Sequence, residues 1–169
     1  MKSLLIISIF LTTTLTSYGV VPEKAKTARS QSDQNKYFEK IFRESREAYA
    51  LATAHIGTFQ EPRLNALTNR IQDDQRVLLK TLRDTARMKD FDLPASPGST
   101  TLQHLSTDSF LEQEIALHEN ILKDIKNSSS PVLENMRQRV QTALENARGI
   151  HDDRRQAQEE QKAEERRGP

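Results

Sequence analysis

Ser109–Asn127, SFLEQEIALHENILKDIKN, is the stretch whose reading decides the fold. Leu111, Ile115, Leu122 and Ile125 recur at helical spacing, and Glu114 and His118 lie on the same apolar stripe. Residues four apart share one face of a helix, so the carboxylate and the imidazole point the same way. An apolar stripe of this length is buried against other helices, and the polar pair goes into the core with it. There it must either be hydrogen-bonded or hold a metal.

Working outward, the same period continues on both sides. After Asn127-Ser-Ser-Ser130, the pair Ser130–Pro131 has the form of a cap and first turn. The helix it opens carries Leu133, Met136, Val140, Leu144, Ala147 and Ile150, with His151 beside the stripe. From Asp152 on (DDRRQAQEEQKAEERRGP) large apolar residues vanish, so residues 152–169 are read as a solvated, fraying charged tail. On the other side, Ser109 and Glu112 have capping-box spacing. Ahead of them, Phe91–Asp108 is broken by Pro94, Ser96, Pro97, Gly98 and Ser99. It has the length of a crossover connection, with a short turn at Leu102 and Leu105.

Two more helices precede it. One is expected from Pro62 to about Asp90, with the stripe Leu64, Leu67, Ile71, Leu78 and Leu82. Gln75 takes an apolar place on that stripe, and Asp74 lies at its edge. The other is expected from Ser32 or Asp33 to about Gly57–Glu61, with Phe38, Ile41, Phe42, Ala48, Tyr49, Ala52, Ile56 and Phe59, and with His55 nearby. The short link between them makes an antiparallel hairpin. Four such stripes predict an all-α four-helix bundle over residues 32–151, two hairpins joined by a crossover.

The N-terminus reads as a signal peptide over residues 1–19. Lys2 gives the positive start, Leu4–Leu11 the apolar core, and Ser17-Tyr-Gly19 the small residues before cleavage. The run is far short of the roughly 20 residues a spanning helix needs, and no membrane span is expected in the mature chain. Val20–Gln31 is polar and aperiodic, a flexible lead-in. The chain is expected to be exported, periplasmic or secreted. It has no cysteine, which excludes disulfides, thiol catalysis and lipoprotein acylation. With 25 basic and 24 acidic residues there is no basic field for nucleic acid.

From Lys36 to Ile150 the chain resembles a ferritin-like domain-of-unknown-function family, family 4142, of exported bacterial four-helix bundles often labelled outer membrane proteins. That family carries two copies of a pattern close to M-V-x-D-H. Ile71-Gln-Asp-Asp-Gln75 is similar to the first copy and Glu114-Ile-Ala-Leu-His118 to the second, with Leu93-Pro94 as shared punctuation. The resemblance implies a ferritin-like bundle and, in principle, a metal site. The departures weaken that site. Gln75 stands where the family has histidine, and Ala48 where it has glutamate, with Glu47 turned about 100° away. His151 does not fall on the family's histidine.

No Glu-x-x-His, phosphate loop or nucleophile motif is present, and no catalytic residue is assigned. The core-side donors His55, Asp74, Glu114, His118 and His151 form one transition-metal site only if all reach one level. The competing reading makes Gln75, Glu114 and His118 a hydrogen-bonded polar layer. The expected function is accordingly a non-enzymatic binding or structural role, with an unidentified protein or cell-envelope partner. The alternative is a ferritin-like metal binder with a degenerate site at Glu114 and His118.

Overall fold

Pro62 and Pro131 each set the first turn of a helix, as their fixed φ favours. The computed structural model describes residues 23–94 and 105–168. They form α1 (Glu23–His55), α2 (Pro62–Lys89), α3 (Thr107–Ser128) and α4 (Pro131–Arg167), with no strand among them. The protein is an all-α four-helix bundle. The residues of the expected signal peptide and the expected turn at Leu102 lie outside the described residues.

Each helix touches two others: α1 packs on α2 and α3, and α4 packs on the same two. Gly57, at φ +69°, turns the chain between α1 and α2 in a conformation other residues resist. Phe91 and Leu93, just past α2, pack on the cluster that holds Phe38 and Leu133. Leu105, just before α3, packs at the other end of the bundle, on Leu51 and Phe110. The described ends of the connection therefore lie a bundle length apart, as a crossover requires. α1 and α3 consequently run antiparallel.

Three boundaries differ from the expectation. α1 begins at Glu23, so most of the expected flexible lead-in is helical. Its Glu, Lys, Ala, Arg and Gln are good helix formers even with nothing to bury. α3 begins at Thr107, because Ser106 caps it: the Ser106 hydroxyl accepts from the Ser109 N–H at 3.2 Å. Ser109 is thus the recipient of the cap, and the Ser109–Glu112 box is not used. α4 runs unbroken to Arg167 instead of fraying from Asp152. Same-face pairs such as Gln156–Glu160 and Arg155–Glu159 support its exposed end. Its first polar turns are also tied down. Arg154 bridges Glu61 and Asp108 at the mouth of the bundle, and Asp153 pairs with Arg63 at 2.8 Å. The Arg154 hydrogen bond holds the Asp108 carboxyl below its usual range.

Candidate functional site

The apolar core is divided in two. Leu51, Leu64, Ile71, Phe110, Leu111 and Ile150 belong to one cluster. Phe38, Ile41, Leu78, Leu82, Ile121 and Ile125 belong to the other. Between them each of three stripes turns polar for one turn. α1 places Ser45 between Phe42 and Ala48. α2 places Gln75 between Ile71 and Leu78. α3 places Glu114 and His118 between Leu111 and Ile121. All four are fully buried, at 0–1% exposure. Over the same span α4 supplies Val140, Ala143 and Ala147.

His118 organises this layer. Its Nδ1–H donates to the Glu114 backbone carbonyl at 2.8 Å, one turn back on α3. That fixes the tautomer and leaves Nε2 as an acceptor. The Gln75 amide donates to it at 3.2 Å, joining diagonal helices α2 and α3 through the core. The carboxyl of Glu114 comes to 3.4 Å from the same Nδ1. Burial works against an ion pair across this contact. Burial, and then the charge of Glu47, holds the Glu114 carboxyl well above its ordinary pKa. Burial pushes His118 down, against the Glu114 carbonyl and the charge of Asp74. Burial thus favours the neutral form of each. Glu114 Oε1 and Oε2, Gln75 Oε1 and Ser45 Oγ are shielded and have no hydrogen-bond partner among the described residues. A buried polar group left unpaired costs roughly 1–3 kcal/mol.

The other expected ligands do not join them. His55 lies at the mouth of the bundle. Its Nδ1 donates to the Leu51 carbonyl at 2.9 Å, and its Nε2 accepts the Leu105 N–H at 3.1 Å. The ring stacks on Phe59 with centroids 5.6 Å apart and tilts against Phe110 at 5.1 Å. His118 is eleven residues into α3, about 16 Å down the axis from that end. His151 is half-buried, 3.8 Å from Asp152, and close enough to help hold the Asp108 carboxyl low at the start of α3. Asp74 turns toward α4, where Arg139 donates to it at 2.9 Å, with Arg70 at 3.6 Å. Among the described residues no three His, Cys, Asp or Glu side chains converge on one point. His55 and His151 stand at the mouth of the bundle, whereas Asp74 is level with Gln75 but faces α4.

Asp74 thus works as a strut between α2 and α4. Asp74→Ala is expected to lower the unfolding free energy by about 1 kcal/mol, read by urea denaturation, because the arginines it holds are half exposed.

Ser45 was legible as the next step of the stripe Phe38–Ile41–Phe42, since it lies three residues on. A small hydroxyl carries little signal there. Asp124 is likewise on the buried side of α3, at 7% exposure, between Ile121 and Ser128.

Comparison of the chain with protein-family models, with curated proteins and with solved structures gives no significant match.

Proposed function

We propose that this is an exported helical-bundle protein with a binding or structural role, acting on an unidentified protein or cell-envelope partner. The observation that carries the reading is where its core-side polar groups are spent. His118 bonds to Gln75 and to its own helix, His55 to Leu51 and Leu105, and Asp74 to Arg139. Each ties one piece of the bundle to another. Export is supported by the apolar run Leu4–Leu11 and the small residues before Val20. A ferritin-like ancestry is supported by the chain order: two hairpins, a connection between opposite ends, and α1 beside α3. No described helix is long and apolar enough to cross a membrane.

The metal-binding alternative draws on one observation, the unpaired Glu114 carboxyl beside His118. The residues fit a metal poorly. His118 Nδ1 is committed to a backbone carbonyl, Nε2 faces the Gln75 amide, His55 and His151 lie at the mouth of the bundle, and Asp74 is turned to Arg139. A dimetal centre of the bundle type needs a carboxylate from each of two helices and a Glu-x-x-His pair from each of the other two.

Elemental analysis of the dialysed protein separates the two. The expected result is substoichiometric transition metal, unchanged in His118→Ala. Stoichiometric metal that falls in the variant would establish the alternative. Export is checked by cell fractionation with N-terminal sequencing, where a mature chain starting at Val20 is expected.

A further inference from the structure

α2 and α4 meet less fully than the other neighbouring pairs of helices. Asp74 and Arg139 bridge them at 2.9 Å, and the seam stays open on both sides of that bridge. Toward the mouth lies a groove of about 290 Å³ whose lining includes Ala66, Leu67, Gly149 and Ile150. A Cβ on Gly149 would meet nothing within 4 Å, so this stretch has room to spare. Glu145, also in the lining, accepts from Gln141.

Toward the base the seam is apolar. Steps of three and four down α2 from Asp74 reach Val77, Thr81, Asp84 and Met88. The same steps back along α4 from Arg139 reach Met136 and Val132. Val77 and Val132 are each 38% exposed and Met88 is 76% exposed. These are three of the four large apolar side chains left exposed among the described residues, and they follow one seam. Met136, between them, is half-buried. After α2 the backbone swings the other way, and Phe91 packs edge-on against Phe38 of α1 at 5.4 Å.

The two banks of the seam differ in charge. On α2 the adjoining row is Arg76, Lys80, Arg83 and Arg87, at steps of four, three and four, all exposed. Asp73 holds Arg76 at 2.8 Å and Asp84 holds Lys80 at 2.5 Å. Arg83 rests over the Phe42 ring, and neither it nor Arg87 pairs with a described acid. On α4 the bank is Asn135 and Gln138, exposed and uncharged. The seam is an apolar trough with one cationic side and one neutral side.

We propose that this seam binds an amphipathic helix of a partner protein, with its apolar stripe on Val77, Met88, Val132 and Met136 and an acidic flank against Arg83 and Arg87. This gives the partner of the binding role a chemistry and rests on that reading. Two helices that part along their length offer the groove into which a third lays an apolar stripe. Free cations on one bank select an acidic flank and fix which way round the helix lies. A second copy of the chain is a poorer occupant. Its own seam offers an uncharged bank or more arginines, and Asp73, Asp84 and Glu145 are already bonded.

Fluorescence anisotropy with a labelled synthetic helix of about 18 residues tests this. The probe carries leucines at steps of three and four and glutamates along one flank; a matched probe carries lysines in their place. Saturable one-to-one binding of the glutamate probe to the full chain is expected, at least about tenfold tighter than the lysine probe and weaker as salt rises. Met88→Ser with Val132→Ser should weaken it at least about tenfold. Arg83→Gln with Arg87→Gln should abolish the preference for glutamate. All four positions are exposed, and circular dichroism confirms the helices. Ile56→Ser, at the fourth exposed apolar position and just past α1, should change nothing. No saturable binding at probe on the order of 1 mM would overturn the proposal, as would equal binding of the two probes or full binding in the seam variants. A dimer in sedimentation equilibrium that Met88→Ser dissolves would give the seam to a second copy and overturn it too. Stoichiometric metal in the dialysed protein would remove the wider reading, whereas a metal-free chain that ignores both probes removes only this one.

Discussion

Glu114→Gln makes the protein more stable, and the gain grows as pH rises. The unfolded chain releases the Glu114 proton near 4.5, whereas the buried carboxyl keeps it to a much higher pH. Between those points the folded state holds one proton more than the unfolded state. Each unit of rising pH then removes about 1.4 kcal/mol from folding. The sign is the reverse of a salt-bridged acid: the stability is fully present below pH 4.5 and is lost upward. Glutamine has nearly the same shape and cannot ionise, so it escapes the loss. His118 acts in the opposite direction. Its folded pKa is lowered, so the unfolded state takes up its proton first and stability falls as pH drops below 6.5. Glu44 adds a loss of its own up to about pH 7. Both are common to parent and variant and cancel in the difference. Urea unfolding of the two proteins from about pH 5 to pH 8 should show the gap widening by about 1.4 kcal/mol per unit, then levelling once Glu114 ionises in the folded chain. A constant gap across that range would mean that Glu114 is not a buried neutral acid.

His55→Ala should cost more than any other single change considered, roughly 3–4 kcal/mol. The ring is 1% exposed and packed between Phe59 and Phe110, so truncation opens a cavity. It also strips the Leu105 N–H of its acceptor and removes the bond to Leu51. Leu105 directly precedes the Ser106 cap, so that bond anchors the start of α3 to the end of α1. Hydrogen exchange localises the effect. The Leu105 amide should become fast-exchanging in His55→Ala while amides in the middle of α2 slow or quicken only with global stability. His55→Phe refills the space without the bonds and should recover part of the stability but not the Leu105 protection. Protection retained in either variant would show that another group holds the start of α3.

The helical period carried most of the fold. Leu64, Leu67, Ile71, Leu78 and Leu82 state one buried face unambiguously, and Pro62 and Pro131 mark two helix starts. The start of α1 was hidden because residues 23–31 have propensity but no apolar face, and the hydrophobic pattern is silent there. The cap of α3 was misplaced by three residues because Ser106 and Ser109 both precede suitable partners; only the hydrogen bond between them decides. At the candidate site, the partnership of Gln75 with His118 followed from stripe positions alone. The separation of His55, Asp74 and His151 from them did not. For the two histidines the reason is height, which depends on how four helices slide past one another; for Asp74, at the edge of its stripe, it is the pull of Arg139 on α4.

The placement of α1 beside α3 and of α4 beside α2 has a bearing on how the molecule comes into being. Neither hairpin is a half-bundle that could stand while the other is being made. Leu133 and Val140 of α4 share a cluster with Phe38 and Ile41 of α1, and Ile150 shares one with Leu51. A chain emerging amino end first therefore carries both halves of its core uncovered through α1, α2 and α3. It gains its full set of neighbours only when residue 150 is free. Completion of the core therefore waits for α4, and until then the apolar faces of α1, α2 and α3 are open to chaperones and to proteases.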